Sequence, residues 1–362
     1  MMRNTKKKKV NSKKQKKEID RTGWPVIAIC YDFDKTLSPE DMQNYSLIPQ
    51  TGKTPEEFWP MCNAKAKKNK MDTILSYMHE IIEFGKIESN ELKLDKKAFK
   101  EHGKKIKLFN GVSTWFKRIE EFADEKKIKV EHYIISAGIQ EIIEGTSIAK
   151  HFKKIFASSF YYNEKTNLAE WPAQIVNATT KTQYLFRISK NSLDLADERT
   201  VHSAVEEDKI RIPFKNIIYI GDSITDVPAM RVVTKEGGIS IGVYNPEEGN
   251  NLNLCVLKRD KRISYFAPAD YSKGSEMERL IQRILENKAL QFVGEAQTKE
   301  AEDIIDAKLF EIVSKGELNK QKELFDKLCR SKNFPKLVSA ILRGEISRPE
   351  KEVYESNDTE EN

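Results

Sequence analysis

Apolar runs of five or six residues, each closing on a cluster of polar side chains, recur along this chain, and amphipathic stretches fill the intervals. The first run, residues 26–31 (VIAICY), is entered through Pro25 and rich in β-branched residues, so it predicts a buried strand. Similar runs at 130–135, 154–160, 216–220, 238–243 and 262–266 predict further strands. Helical spacing predicts helices over 112–126 (Trp115, Phe116, Ile119, Phe122), over 139–146, from Thr179 through Tyr184, Leu185 and Ile188, and over 275–287. Strands alternating with helices imply an α/β fold with a parallel, doubly wound, Rossmann-like sheet.

Residues 37–110 break that rhythm. Thr54-Pro55-Glu56-Glu57 reads as a helix start, with a threonine cap, proline at the first position and acids in the first turn. Residues 71–82, continued by Phe84, and 96–107 predict two more helices. A helical insert placed directly after the first strand can close over a site as a lid. Residues 191–212 are a polar embellishment, and from Ala296 onward the chain predicts helices alone, at 304–313, 320–328 and 334–342. The expected organisation is a basic tail (1–22), a catalytic core (23–38 and 111–290), a helical cap (39–110), a C-terminal helical extension (291–346) and an acidic tail (347–362).

Composition narrows the class. The 362 residues are 39% hydrophobic and 33% charged, as in a soluble globular chain, and no run of eighteen apolar residues predicts a membrane span. Residues 1–21 lack the apolar stretch of a secretory signal. Cys30, Cys62, Cys255 and Cys329 lie far apart, so reduced thiols and a cytoplasmic location are expected. The net charge of +6 is uneven: residues 1–21 hold ten basic residues and two acids, a net of +8, so the other 341 carry −2. That tail suits nucleic acid or an anionic surface, or serves only as a solvated, solubilising segment. The five histidines show no zinc-site spacing.

Four apolar runs or helix starts offer polar groups in order: Asp32, Asp34 and Thr36; Ser136, Ala137 and Gly138; Lys181; and Gly221-Asp222 with Asp226. In an open α/β sheet the carboxyl ends of the strands bind ligands. Two acids as close as Asp32 and Asp34 need a cation between them or a retained proton. Singly, each has an ordinary explanation: Ser136 as a strand-end cap, Lys181 as a solvated lysine, Asp222 and Asp226 as a turn acid and a helix acid. Phe58, Trp59 and Met61 likewise read as packing within the cap, with a substrate contact as the alternative. The order of the polar groups after successive strands is what argues for a site.

This order resembles the haloacid dehalogenase superfamily, in its phosphatase-like members with a helical cap inserted after the first motif, of the phosphoserine-phosphatase-like kind. The likeness covers about residues 24–290 and rests on Asp-x-Asp-x-Thr at 32–36, a serine after a hydrophobic strand at 136, a lone lysine, and Gly-Asp-Ser-x-x-Asp at 221–226. Lys181 is the expected lysine, with Lys190, deeper in its helix, as the competitor. The resemblance implies Mg2+ held by Asp32, the Phe33 backbone carbonyl and Asp222, with Asp226 a ligand or its support and Asp34 adjacent through its backbone. A carboxylate can displace an alkoxide from a phosphate ester, so Asp32 is the expected nucleophile. Asp34 is the expected general acid and base. Ser136 and the Ala137 and Gly138 amides hold the transferring oxygens, Lys181 supplies positive charge, and Thr36 braces the loop or meets the phosphate.

The expected activity is Mg2+-dependent hydrolysis of a small phosphorylated metabolite through an aspartyl-phosphate. Two alternatives stand beside it: a nucleotide or nucleic-acid end as substrate, aided by residues 1–21, or an interaction module in which residues 296–346 dock a partner. Asp41, Gln43, Tyr45 and the lysines of 65–70 are the candidates to face the substrate cavity. Oligomeric state has no signal in the sequence.

Overall fold

A computed structural model describes residues 21–314, except 207, 208, 223, 250 and 251. Seven strands form one sheet: β1 (Val26–Tyr31), β2 (Lys129–Ile139), β3 (Phe152–Tyr162), β4 (Ala169–Gln174), β5 (Ile217–Gly221), β6 (Ile239–Tyr244) and β7 (Tyr265–Pro268). Their order is β4-β3-β2-β1-β5-β6-β7, parallel except for β4. The doubly wound α/β sheet expected from the sequence is therefore present, with an antiparallel edge strand added. Pro172 and the polar residues around it hide β4 from a pattern reading, and proline is tolerated there because β4 is an edge strand.

Residues Ile27 to Tyr31 are wholly buried, as both faces of β1 are covered. On one face Ala28, Cys30, Tyr133 and Tyr219 pack with Tyr184, Leu185 and Ile188 of α6 (Lys181–Lys190) and Ala229, Met230 and Val233 of α8 (Val227–Lys235). On the other, Tyr31 meets Phe116 of α4 (Val112–Glu125) edge to face, with ring centroids 5.8 Å apart, and accepts the Trp115 indole N–H at 2.9 Å. Each fully buried aliphatic side chain contributes about 1.5–3 kcal/mol.

Between β1 and α4 lie α1 (Pro55–Asn69), α2 (Thr73–Gly85) and α3 (Lys96–Gly103). Thr54 and Glu57 form a capping box at the start of α1, and Asp72 caps α2 through the Ile74 and Leu75 amides at 2.7 and 3.3 Å. Short α5 (Gln140–Glu144) and α7 (Glu198–His202) and the longer α9 (Leu252–Arg259) complete the connections. The chain divides into two compact units at Arg283/Ile284. The sequence predicts separate helices at 275–287 and 304–313; the structure has one, α10 (Glu276–Ser314), because residues 288–303 lack proline and are rich in helix formers. No helix of the described residues is long and apolar enough to cross a membrane. Residues 1–20 of the basic tail, the acidic tail and the helices expected at 320–328 and 334–342 lie outside the described residues.

Candidate active site

β1 sits where the sheet's connections diverge, toward β2 on one side and β5 on the other. Tyr31 is in register with Ile220, and the Asp32 amide donates to the Ile220 carbonyl at 2.9 Å. Asp32 and Asp222 thus leave the sheet side by side at its topological switch point, the crevice where open α/β sheets hold ligands.

The loop after β1 is folded around one carbonyl. Phe33 O accepts the amides of Leu37 at 2.8 Å, Ser38 at 3.2 Å and Thr36 at 3.3 Å. Lys35 adopts a left-handed conformation, φ +56°, which costs a non-glycine residue energy and turns the chain sharply. The turn delivers the Asp34 carboxylate to the Met42 amide at 2.8 Å. Thr36, fully buried, donates its hydroxyl to Asp222 at 3.4 Å, while its carbonyl accepts the Tyr271 hydroxyl at 2.8 Å. Thr36 thus links the loop after β1 to Asp222 and to Tyr271.

Lys181 opens α6 and is buried, its ammonium 2.8 Å from Asp32 Oδ2 and 2.6 Å from Asp226 Oδ1. Asp32 Oδ1 takes its own neighbour's amide, Phe33 N, at 2.7 Å. Asp226 Oδ1 also accepts the Tyr219 hydroxyl at 2.8 Å. Gly221 permits this arrangement: a Cβ there would lie 2.6 Å from Asp226 Oδ2.

Asp32, Asp222 and Asp226 each bring a carboxylate oxygen within 4.8 Å of the others. Burial and the Asp226 charge push Asp32 up to about 6, against the pull of Lys181. Burial, Asp226 and Asp32 push Asp222 up to about 8. Burial and the Asp41 and Asp32 charges hold the Asp34 carboxyl well above the usual carboxylate range. Burial opposes the charge on Lys181, but Asp226 and Asp32 more than offset it and raise that pKa. Three carboxylates sharing one ammonium leave surplus negative charge, and an all-oxygen set of this kind fits a hard divalent cation.

Several expectations change at atomic detail. The Phe33 carbonyl, expected on the metal, is committed to the loop amides. The Asp34 side chain, expected beside the metal only through its backbone, is not among the three carboxylates. Ser136 is fully buried, and its hydroxyl oxygen accepts the Gly138 amide at 3.1 Å. The Ala137 carbonyl accepts Tyr77 OH at 2.9 Å and Ser158 Oγ at 3.1 Å. β2 does not stop at Ser136 but runs to Ile139, with its register against β3 shifting between Ser136 and Ile139. Lys190 is far from this chemistry in its contacts, donating to the Val201 and Ser203 carbonyls at 2.6 and 2.8 Å.

A cavity of about 220 Å³ adjoins Asp34, lined by Asp41, Gln43, Trp59, Asn63 and Tyr77, among others, and by Ala137 and Gly138. Of the candidates for facing it, Asp41 and Gln43 line this cavity; Tyr45 and the lysines of 65–70 do not. Sequence reasoning assigned Trp59 to packing and overlooked Tyr77 and Tyr219. Tyr219, an aromatic hydroxyl in a buried strand three residues before Asp222, carried the one usable signal, since a buried hydroxyl needs a partner.

A family model described as haloacid dehalogenase-like hydrolase matches residues 29–231. An uncharacterized protein of Borreliella burgdorferi is 30% identical over 280 residues, covering 70% of this chain and 94% of that one. Among solved structures, a HAD family hydrolase from Salmonella enterica serovar Typhi has a TM-score of 0.46 at 17% identity, covering 72% of each chain. A probable phosphoserine phosphatase from Vibrio cholerae has a TM-score of 0.45 at 12% identity, covering 74% of this chain and 66% of that one. The chain belongs to the haloacid dehalogenase-like hydrolases.

Proposed function

We propose that this chain is a phosphatase that hydrolyses small phosphate monoesters with Mg2+, through a phosphorylated Asp32. The observation that carries the reading is the convergence of Asp32 and Asp34 with Lys181, Asp222 and Asp226 at the carboxyl ends of β1 and β5. Asp32 and Asp222 would hold the cation, with Asp226 supporting both through Lys181. Bound there, Mg2+ neutralises phosphate oxygens and lets one anion approach another.

Lys181 and the Phe33 amide fix the two oxygens of Asp32, which aims the carboxylate at phosphorus. Asp32 attacks; the bond from phosphorus to the ester oxygen breaks, and protonated Asp34 gives its proton to the departing alkoxide. The resulting Asp34 carboxylate then takes a proton from water, whose oxygen attacks phosphorus and releases phosphate from Asp32. Burial suits Asp34 to the first step, because it keeps the proton available near neutral pH. We propose further that α1–α3 act as the cap, since α1 and α2 contribute Trp59, Asn63 and Tyr77 to the cavity. A cavity of about 220 Å³ favours a small leaving group over a nucleic-acid end.

The test is release of phosphate from p-nitrophenyl phosphate with Mg2+ or with a chelator, by wild type and Asp32→Asn. Metal-dependent release that the variant lacks supports the reading; release that survives in the variant sinks it.

A further inference from the structure

The cavity beside Asp34 has a chemical sign. Its lining includes no lysine, arginine or histidine, but it includes the carboxyl groups of Asp34 and Asp41 and the amides of Gln43 and Asn63. Asp41 meets one cation, Lys35, at 3.1 Å, and that side chain is half exposed and lies outside the lining. Gln43 is 2% exposed. The Tyr77 hydroxyl donates to the Ala137 carbonyl at 2.9 Å. Gln43 Oε1 is a buried acceptor with no hydrogen-bond partner among the described residues. A buried acceptor of this kind calls for a donor. Trp59 and Tyr77 add an aromatic wall, their rings edge to face with centroids 5.6 Å apart. Aromatic faces beside a carboxylate attract alkylammonium groups.

The site therefore has two ends, a phosphate end where Lys181 and a bound cation would sit and an electron-rich end at Asp41, Gln43 and the aromatic wall. Resting on the phosphatase reading, we infer that this cavity receives the leaving alcohol and that the alcohol carries a positively charged nitrogen: the substrate is the phosphate monoester of a small amino alcohol. A leaving group with its own carboxylate finds no cation in the lining and meets Asp41 instead. Hydrolysis of such an ester consumes one water and yields the amino alcohol and phosphate.

The test compares kcat/KM for phosphocholine and O-phosphoethanolamine with the values for 3,3-dimethylbutyl phosphate, the neutral isostere of phosphocholine, and O-phosphoserine. p-Nitrophenyl phosphate is the control for the underlying chemistry. The inference expects the cationic esters to lead both comparators by about tenfold or more, as a charge-assisted contact provides. Asp41→Asn and Gln43→Leu should shrink that lead mainly through KM. Equal turnover of the isostere or of O-phosphoserine, with Asp32-dependent hydrolysis of the aryl ester intact, overturns the inference and leaves the phosphatase reading standing. No phosphate from any ester, with a folded protein, overturns both. Wild type alone decides the comparison should either variant fail to fold.

Discussion

The Lys181 ammonium lies 2.6 Å from Asp226 Oδ1, and both side chains are buried. Lys181→Met keeps the length of the side chain and removes the charge that Asp32 and Asp226 share. Loss of a charge aimed at the reacting group lowers kcat by about 100- to 1,000-fold. Breaking a buried pair also costs about 3–5 kcal/mol. The stability loss should be larger at pH 8 than at pH 5, because the orphaned carboxyls can take up protons at the lower pH. Phosphate release and thermal melts at both pH values check this. Lys190→Met, which loosens only the Val201 and Ser203 carbonyls, should leave the rate of phosphate release unchanged. Equal losses from the two lysine variants would refute the assignment.

Asp34→Asn removes the proton donor while leaving an acceptor for the Met42 amide. General acid catalysis contributes about 100- to 10,000-fold, and the contribution shrinks when the leaving group needs no proton. An alkyl phosphate should therefore lose far more rate than p-nitrophenyl phosphate in the first step. Hydrolysis of the phosphorylated Asp32 still needs Asp34 as a base, so the variant should release a burst of p-nitrophenol and then stall. Rapid-quench measurement with both esters separates the steps; uniform loss without a burst contradicts the assigned roles.

Asp222, pushed to about 8, retains its proton in the metal-free site near neutral pH, whereas Asp32, pushed to about 6, does so only in mildly acidic solution. Their folded pKa values exceed the unfolded ones. The stability they contribute is thus fully present below about 4 and declines as pH rises through 6 and then 8. A cation bound by both must displace those protons. Mg2+ should therefore raise Tm more at pH 8 than at pH 5 and release protons on binding. Calorimetry in two buffers of different ionisation enthalpy measures that release, and a pH-independent shift in Tm would contradict this account.

How much of this was legible in the sequence depended on the range of the interaction. β1 was readable to the residue, because a strand buried on both faces must be apolar throughout and Asp32 must end it. The helix start at Pro55 was readable in the same way, since capping is local chemistry. β4 was not, because an exposed edge strand has no apolar face to announce it. Within the site, the choice of Lys181 over Lys190 followed from its place at a helix start, and Lys181 lies 2.6 Å from Asp226, 45 residues along the chain. The fate of the Phe33 carbonyl and the Gly138 amide depended on backbone hydrogen bonds that no residue type specifies. Tyr77 and Asn63 reach the cavity only through the packing of α1 and α2, so their spacing carried no usable signal.

His132 gives the fold its own pH dependence, separate from the site. Tyr31 OH accepts the Trp115 N–H and so donates its proton to His132 Nδ1, 3.0 Å away, which fixes Nδ1 as an acceptor. Burial and the neighbouring His151 push this imidazole down to about 3. A histidine depressed in the folded state contributes stability that is fully present above about 6.5 and lost as pH falls toward 3, because only the unfolded chain takes up the proton. The slope is about 1.4 kcal/mol per pH unit, so lowering pH from 6.5 to 4.5 should remove about 2–3 kcal/mol. The acids of the site act with the opposite sign over part of this range, so the quantity to measure is the difference between wild type and His132→Asn. Asparagine can still accept from Tyr31 but does not titrate. Urea melts at pH 7, 6 and 5 should show wild type losing stability against the variant; parallel curves would mean that the unfolded chain gains no proton that the native imidazole refuses.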